Sequence, residues 1–392
     1  MTAVFSPEQH LILAAIRPQP IEAAVLPHLL EQNLDWAEVV RFAIGSGVGA
    51  LAYQGLRQLG CTNLPQAALS RLQEIYQLNA LRNLRLSKRL VQVVELLDKH
   101  GVDSLAYKGP AAALQAYPDL SLRQFTDLDL LIQPQDFPKA YALLVQAGFT
   151  PYTPLNGAGQ RWLVQTAVEF PFQFQNDILE IHWGLSLDDF LHPLKTSAFW
   201  NDSVEIEILD RRVRTLSPEK AVFFTCFHAT RHAWGSLKWA ADLAHYGQSY
   251  PALDWLALLE YARRNGFHRL VCLSLLLAER LGGAVFPPQV SQHIAADAHA
   301  QALALKVIHN IASSQPESSA FSRLGFFFRS RERLRDRLYI ILVQIFIPRE
   351  IDWRTIPLPA PFFPLYFLLR PLRVFVRSIW LLISNIHTYK NP

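Results

Sequence analysis

Residues 107–132 constrain the fold of this chain more than any other stretch. Tyr107-Lys-Gly-Pro-Ala-Ala-Ala-Leu-Gln-Ala-Tyr117 leads into Arg123-Gln-Phe-Thr-Asp-Leu-Asp-Leu-Leu-Ile132. The pattern predicts a strand, a glycine turn, a helix, a loop and a second strand. Side chains two apart on a strand point the same way, so Asp127 and Asp129 share a face. Two carboxylates so placed repel each other unless a cation lies between them. Hard oxygen ligands of this kind suit Mg²⁺, which is held by one or two carboxylates together with substrate phosphates. The turn at Gly109 sets backbone N–H groups at a helix start, where an anion is favoured. Lys108 adds a point charge for phosphate oxygens, and Arg123 is a candidate for further compensating charge. Metal carboxylates beside a phosphate cradle point to phosphoryl or nucleotidyl transfer.

The surrounding pattern divides the chain of 392 residues into four expected regions. Residues 1–100 read as helices, with apolar positions at three- and four-residue spacing. Ser6-Pro7-Glu8 gives a capped start, and the longest helix is expected over about 66–100. Its Arg82, Arg85, Lys88 and Arg89 read as a solvated face. Residues 101–216 turn mixed, with strands expected at 102–107, 127–132, 168–175, 178–185, 204–208 and 211–216. Asn176-Asp177 is the expected turn of a hairpin, and Pro171 marks its first strand as an edge. A mixed sheet with helices on one face follows. Residues 217–347 return to helix, at about 217–232, 236–248, 253–265, 267–281, 289–312 and 329–346, with Ser217 as a cap. Residues 348–392 form a proline-rich, apolar and basic tail. Its Arg370, Arg373 and Arg377 fall on a helical repeat. It either packs on the domain with arginines at its edge or lies on an anionic membrane surface or a partner, chiefly through 361–392.

Composition excludes several classes. Half the residues are apolar and 18% are charged, which describes a globular chain. A net charge of +4 does not argue for nucleic acid. Cys61, Cys226 and Cys272 are too few and too scattered for a disulfide framework or a zinc site. They point to a reducing cytosol, and hence to a cytoplasmic protein or one peripheral to the inner face of the membrane. No signal peptide and no apolar run of about 18 residues is read. His228 and His232 lie about one helical turn apart. With Asp242 they are expected to form a polar network between helices or one wall of a substrate pocket. His182 could orient Glu180 or contact substrate, but it reads first as a structural histidine.

Several motifs occur in one order along the chain: Lys108-Gly109, Arg123 with Asp127-x-Asp129, Leu179-Glu-Ile-His-Trp183, His228-Ala-Thr-Arg-His232, Lys238-Trp-Ala-Ala-Asp242 and Pro348-Arg-Glu-Ile-Asp-Trp353. In that order they resemble the uncharacterised nucleotidyltransferase family within the DNA polymerase beta-like superfamily, over roughly residues 70–375. The resemblance implies an α+β fold: a polymerase beta-like core with a mixed sheet, flanked by N- and C-terminal helical regions. It also implies a third acid, Glu180, on a neighbouring strand, completing with Asp127 and Asp129 a site for one or two Mg²⁺. Lys108, Gly109 and Arg123 would bind a nucleoside triphosphate. The implied reaction moves a nucleoside monophosphate to a hydroxyl of an unknown acceptor, which could be a small molecule, a sugar or a protein. Where the superfamily usually carries Gly-Ser or Gly-Gly at the turn, this chain has Gly109-Pro110, and proline donates no N–H. That departure favours one rival, an inactive nucleotide-binding protein. A second rival is an accessory protein of a biosynthetic or surface-polysaccharide system, acting through its helical regions.

Overall fold

The computed structural model describes residues 4–19, 33–59, 65–184, 196–315 and 319–376. Cys61 and the part of the tail from Arg377 onward therefore lie outside the described residues. Among the described residues three helices come first: α1 (Pro7–Ala15), α2 (Trp36–Gly45) and α3 (Gly49–Gln58). Ser6 caps α1 in a reciprocal box with Gln9, and Pro7 opens it. Helix α4 (Gln66–Lys99) follows, 34 residues long. Its buried stripe of Leu72, Leu86, Leu90, Val93 and Leu97 recurs at helical spacing, which is why so long a helix lies against one surface.

The sheet has seven strands in the order β3-β4-β5-β2-β1-β7-β6. They are β1 (Ser104–Ala106), β2 (Asp127–Ile132), β3 (Thr150–Pro151), β4 (Glu169–Phe174), β5 (Asp177–His182), β6 (Ser203–Ile208) and β7 (Arg211–Leu216). Pairs β2–β5 and β1–β7 are parallel and the other four are antiparallel, so the sheet is mixed and the fold is α+β. Helices α5 (Gly109–Ala116), α6 (Phe137–Gln146) and α7 (Gly157–Thr166) lie between strands. The face of the sheet bearing Leu128, Leu130, Leu179 and Ile181 shares one core with α4 and α6.

The other face is not bare. Leu105, Tyr107 and Leu131 join a second core with α9 (Pro218–Arg231) and the helices after it, so helices are not confined to one face as expected. These are α10 (Lys238–Ser249), α11 (Trp255–Arg264), α12 (His268–Leu277), α13 (Pro288–Ala295), α14 (Ala298–Ala312), α15 (Ala320–Ser330) and α16 (Leu334–Phe346). A short helix α8 (Thr196–Asn201) precedes β6.

Four local expectations are corrected. The hairpin turns at Gln175–Asn176, with Gln175 at φ +55°, and Asp177 already pairs with Phe174. Strand β4 is not the edge, because the two-residue β3 lies outside it at Pro171's neighbour Phe172. Asp297 caps a new helix, which splits the expected 289–312 helix in two. Arg85 and Arg89 are not merely solvated. Both ion-pair with the buried Asp177 at the start of β5, and Arg89 also lies 3.8 Å above the Phe174 ring.

The described part of the tail, residues 348–376, packs against the rest of the chain. Helix α17 (Glu350–Thr355) carries Asp352, and a last helix, α18, spans residues 366–376. Arg370 and Arg373 turn inward to Asp352, at 2.9 and 2.6 Å, instead of lying at the edge. The Tyr366 hydroxyl donates to the Ile356 carbonyl at 2.7 Å. Its ring, with those of Phe363 and Phe367, surrounds Trp162 on α7.

Candidate active site

Strand register sets the site. Asp129 on β2 stands opposite Glu180 on β5, and Leu131 stands opposite His182. On the far side of β5, His182 pairs with Glu169 of β4. Asp127, Asp129, Glu180, His182 and Glu169 therefore share one face of three adjacent strands, while the leucines between them face the core. Asp129 is 2% exposed. Its Oδ1 meets Lys108 Nζ at 2.5 Å and His182 Nε2 at 3.0 Å. The same Nε2 lies 3.3 Å from Glu180 Oε2, and His182 Nδ1 lies 3.4 Å from Glu169 Oε2.

These contacts set the protonation states. Burial alone would lower His182, but the hydrogen bonds to Asp129 and Glu180 outweigh it and hold the imidazole up at about 9. Burial opposes the charge of Asp129 as well, yet Lys108 and His182 hold its carboxyl well below the usual range. Asp127 goes the other way. Burial and the neighbouring Asp129 raise it, against the pull of Lys108 and Lys238. The repulsion expected from the Asp-x-Asp spacing is thus expressed on Asp127.

The glycine turn is where the sequence places it. Gly109 has φ +53°, and a Cβ there would sit 3.3 Å from the Asp127 carbonyl oxygen. Only glycine takes that conformation without strain while lying so close to the acid strand. The loop entering β2 is held by α4. Asn79 donates to the Ser121 carbonyl at 2.6 Å, and Asn83 donates to the Arg123 carbonyl at 2.8 Å. Both asparagines are buried, one helical turn apart.

All of this opens into a cavity of about 620 Å³ between the acid face, the α2–α3 turn and the helices after β7. Lys108, Gly109, Arg123, Asp127, Glu180 and His182 line it. The opposite wall comes from α9 and α10. Phe224, His228, His232 and Trp239 form a continuous run of rings, with successive centroids 4.6–5.8 Å apart. Burial, with help from Lys108, pushes His228 well below its ordinary pKa and His232 down to about 4, so this wall is neutral at pH 7. The wall role expected for the two histidines is what the geometry gives them. Asp242 is not in their group. It accepts from the Tyr117 hydroxyl at 2.9 Å and from Arg123 Nε at 3.0 Å, in a buried network behind the cavity. Arg123 therefore reaches the cavity edge with its charge already matched.

Sequence reasoning misread or passed over five residues. His182 sits among the acids instead of serving the core. Glu169 joins it because the true hairpin register pairs 169 with 182, a pairing that a turn one residue later hides. Asn79 and Asn83 looked like ordinary polar positions of a helix. Lys238 carries an ammonium on the cavity wall, makes no ion pair among the described residues, and is pushed down by burial and by Arg123. The loop before it, 232–237, holds Ala233 at φ +49° and Trp234 at φ +57°. Two successive left-handed residues that are not glycine are strained, and such strain collects at functional sites.

The sequence matches the family described as uncharacterised nucleotidyltransferase over residues 32–283, which is more than half of the chain. This chain belongs to that family. It is a nucleotidyltransferase, and the acid face and its cavity lie within the matched span. No curated protein matches it. Two solved structures are similar. One is an antigenic nucleotidyltransferase-like protein from Paracoccidioides brasiliensis, 16% identical, over 55% of this chain and 93% of that one, with a TM-score of 0.35. The other is the antibiotic-resistance factor ANT(2'')-Ia, 16% identical, over 56% of this chain and 98% of that one, with a TM-score of 0.27. Likenesses this distant carry no argument about the site of this nucleotidyltransferase.

Proposed function

We propose that this nucleotidyltransferase moves a nucleoside monophosphate from a triphosphate to an acceptor hydroxyl with the help of Mg²⁺. One observation carries the reading. Buried Asp129 has a second oxygen, Oδ2, that no group among the described residues hydrogen-bonds, on a face it shares with Asp127 and Glu180. A buried carboxylate oxygen without a partner is costly, and a divalent cation would satisfy it. The ligand atoms of Asp129, Glu180 and His182 lie within 4.8 Å of one another, which fits one ion. Oxygen ligands suit Mg²⁺ best, so Asp129 and Glu180 of that group, joined by Asp127 from outside it on the same face, are the residues assigned to hold it, with His182 orienting two of them. When bound, the metal would neutralise phosphate charge and polarise the phosphorus that is attacked.

The remaining work falls to the chain's own residues. Lys108 now neutralises Asp129, and on binding it would turn its ammonium to the triphosphate. Lys238 approaches from the opposite wall, with no carboxylate to give up. The Gly109 turn offers its N–H and that of Ala111, while Pro110 offers none. The acceptor oxygen would form the new bond to the α-phosphorus as the bond to the β-phosphate oxygen breaks and pyrophosphate leaves. Glu180 would take the hydroxyl proton. The neutral ring wall leaves room for the acceptor or the base to stack.

The test is a screen of the purified protein with each nucleoside triphosphate and Mg²⁺, reading pyrophosphate release and label transfer. Release that Asp127→Asn abolishes is the expected result. Triphosphate binding without release under any acceptor mixture would favour the rival reading of a nucleotide-binding protein without turnover. Pro110 and the Lys108–Asp129 pair are the observations behind that rival.

A further inference from the structure

Two helices of the C-terminal region each bury one side and turn an apolar stripe to solvent. On α16 the inner side is Asp336, Tyr339, Ile340 and Val343. Its outer side is Leu334, Leu338, Ile341, Leu342 and Phe346, all exposed and spaced by three, four or seven. On α18 the inner side is Tyr366 and Arg370, and Leu368, Leu372, Phe375 and Val376 are exposed at the same spacing. The helices meet where Arg370 donates to the Gln344 carbonyl of α16 at 2.9 Å. Leu368 is 68% exposed and Leu372 63%, values that a folded chain does not leave to water over so many adjacent positions without a use.

Charge indicates what covers this surface. Residues 319–376 contain ten arginines, no lysine and four acids. Two of those acids are already spent inside. Asp336 is buried against Arg331, and Asp352 against Arg370 and Arg373. A third, Glu332, accepts from the backbone N–H groups of His268 and Arg269. Arg329 is exposed, and so is Arg335, although its Nε lies 3.5 Å from Asp336 Oδ1. From Trp353 to Pro392 the sequence has no acid at all. Its apolar spacing continues through Ile379, Trp380 and Ile383, with Arg377 and Lys390 alongside. No helix among the described residues is long and apolar enough to cross a membrane.

We propose that this face is a docking surface for an anionic lipid membrane, with α16 and α18 lying along the headgroup boundary. An apolar stripe flanked by arginine is the pattern of an interfacial helix. Surplus arginines draw it to anionic headgroups and not to neutral ones. The inference is independent of what the cavity catalyses.

Vesicle flotation with the full chain tests it. The protein should float with phosphatidylcholine vesicles that contain phosphatidylglycerol and not with phosphatidylcholine alone, and added salt should weaken the binding. The variant Leu338→Glu/Leu342→Glu/Leu368→Glu/Leu372→Glu changes only exposed positions. It should keep the wild-type melting temperature and lose at least tenfold in vesicle binding. Arg329→Ser/Arg335→Ser, which spares the stripes, should lose severalfold. Failure of the wild type to float with anionic vesicles would overturn the proposal, as would undiminished binding of the glutamate variant. A wild-type dimer in light scattering that the glutamates split, without vesicle binding, would assign the face to a second copy of the chain instead.

Discussion

Two buried carboxylates in this protein are almost equally hidden, and only one of them is neutralised by groups that line a cavity. Asp352 is 4% exposed and Asp129 is 2% exposed. Asp352 meets Arg370 and Arg373 and accepts from the Arg349 N–H at 2.7 Å. Its partners are rigid forks that look inward and tie the tail to α16. Asp129 meets a flexible lysine and a histidine that both open onto the cavity, and its Oδ2 is left over. Burial therefore does not separate a structural charge from a chemical one. What separates them is whether the neutralising groups can leave.

That contrast breaks first at the acids. Asp127→Asn should lower transfer by roughly 10³-fold or more, ~4 kcal/mol of barrier, with folding intact. Because burial and then its neighbour Asp129 raise Asp127, its loss should leave metal-free stability unchanged or higher. Asp129→Asn should differ, since it strands Lys108 beside a neutral amide and lowers stability too. Equal thermal unfolding of the two variants would dissolve the distinction. Asp352→Asn is the counterpart. It should cost about 3 kcal/mol of stability by leaving a buried guanidinium unpaired, with triphosphate binding unchanged in the folded fraction. Denaturant titration alongside nucleotide binding separates the two effects.

Smaller effects sharpen it. Lys238→Ala should weaken triphosphate binding by roughly 10- to 100-fold, the loss of a charge-assisted contact, and leave the melting curve unmoved. An unaltered KM would place the phosphates elsewhere. Gly109→Ala forces a Cβ into a left-handed turn and should destabilise by about 1–2 kcal/mol, readable by calorimetry. The last test concerns pH. His228 is held neutral in the fold, whereas the unfolded chain's histidine takes up a proton near pH 6.5. Its contribution costs nothing above about pH 6.5, and stability is lost as the pH falls below that value. His228→Gln removes this difference in bound protons, so stability should decline less between about pH 6.5 and 4.5. An unchanged acid limb would show that the ring wall is wetter than its packing implies.

Much of this was legible before any coordinates. Strands β1, β2, β6 and β7 announce themselves because period-two alternation survives even in short runs. The Ser217 cap and the Gly109 turn are local chemistry, and local chemistry is what a sequence prints. Other elements were not legible, among them α8, α15 and α17. Strand β3 has two residues, too few to show a period, and α7 begins Gly-Ala-Gly, which reads as a loop. The site was half legible. Asp127 and Asp129 follow from spacing alone. The Lys108–Asp129 pair spans 21 positions, and the His182–Asp129 contact spans 53. Such contacts depend on strand order, which spacing does not encode. The hairpin turn expected one residue too late moves the register by two, setting position 169 opposite 184 instead of His182, and so hid the Glu169 contact.

Helix α4 makes the arrangement unforgiving in one respect. Asn79 and Asn83 grip the loop before the acids, and the apolar stripe from Leu86 to Leu97 seats the same helix against the sheet. One inserted or deleted residue between them would turn one set about 100° from the other. Chains that share this site should therefore hardly differ in length between 79 and 97. The spacing of two amides from a row of leucines would then be inherited as a fixed interval, much as a reading frame is.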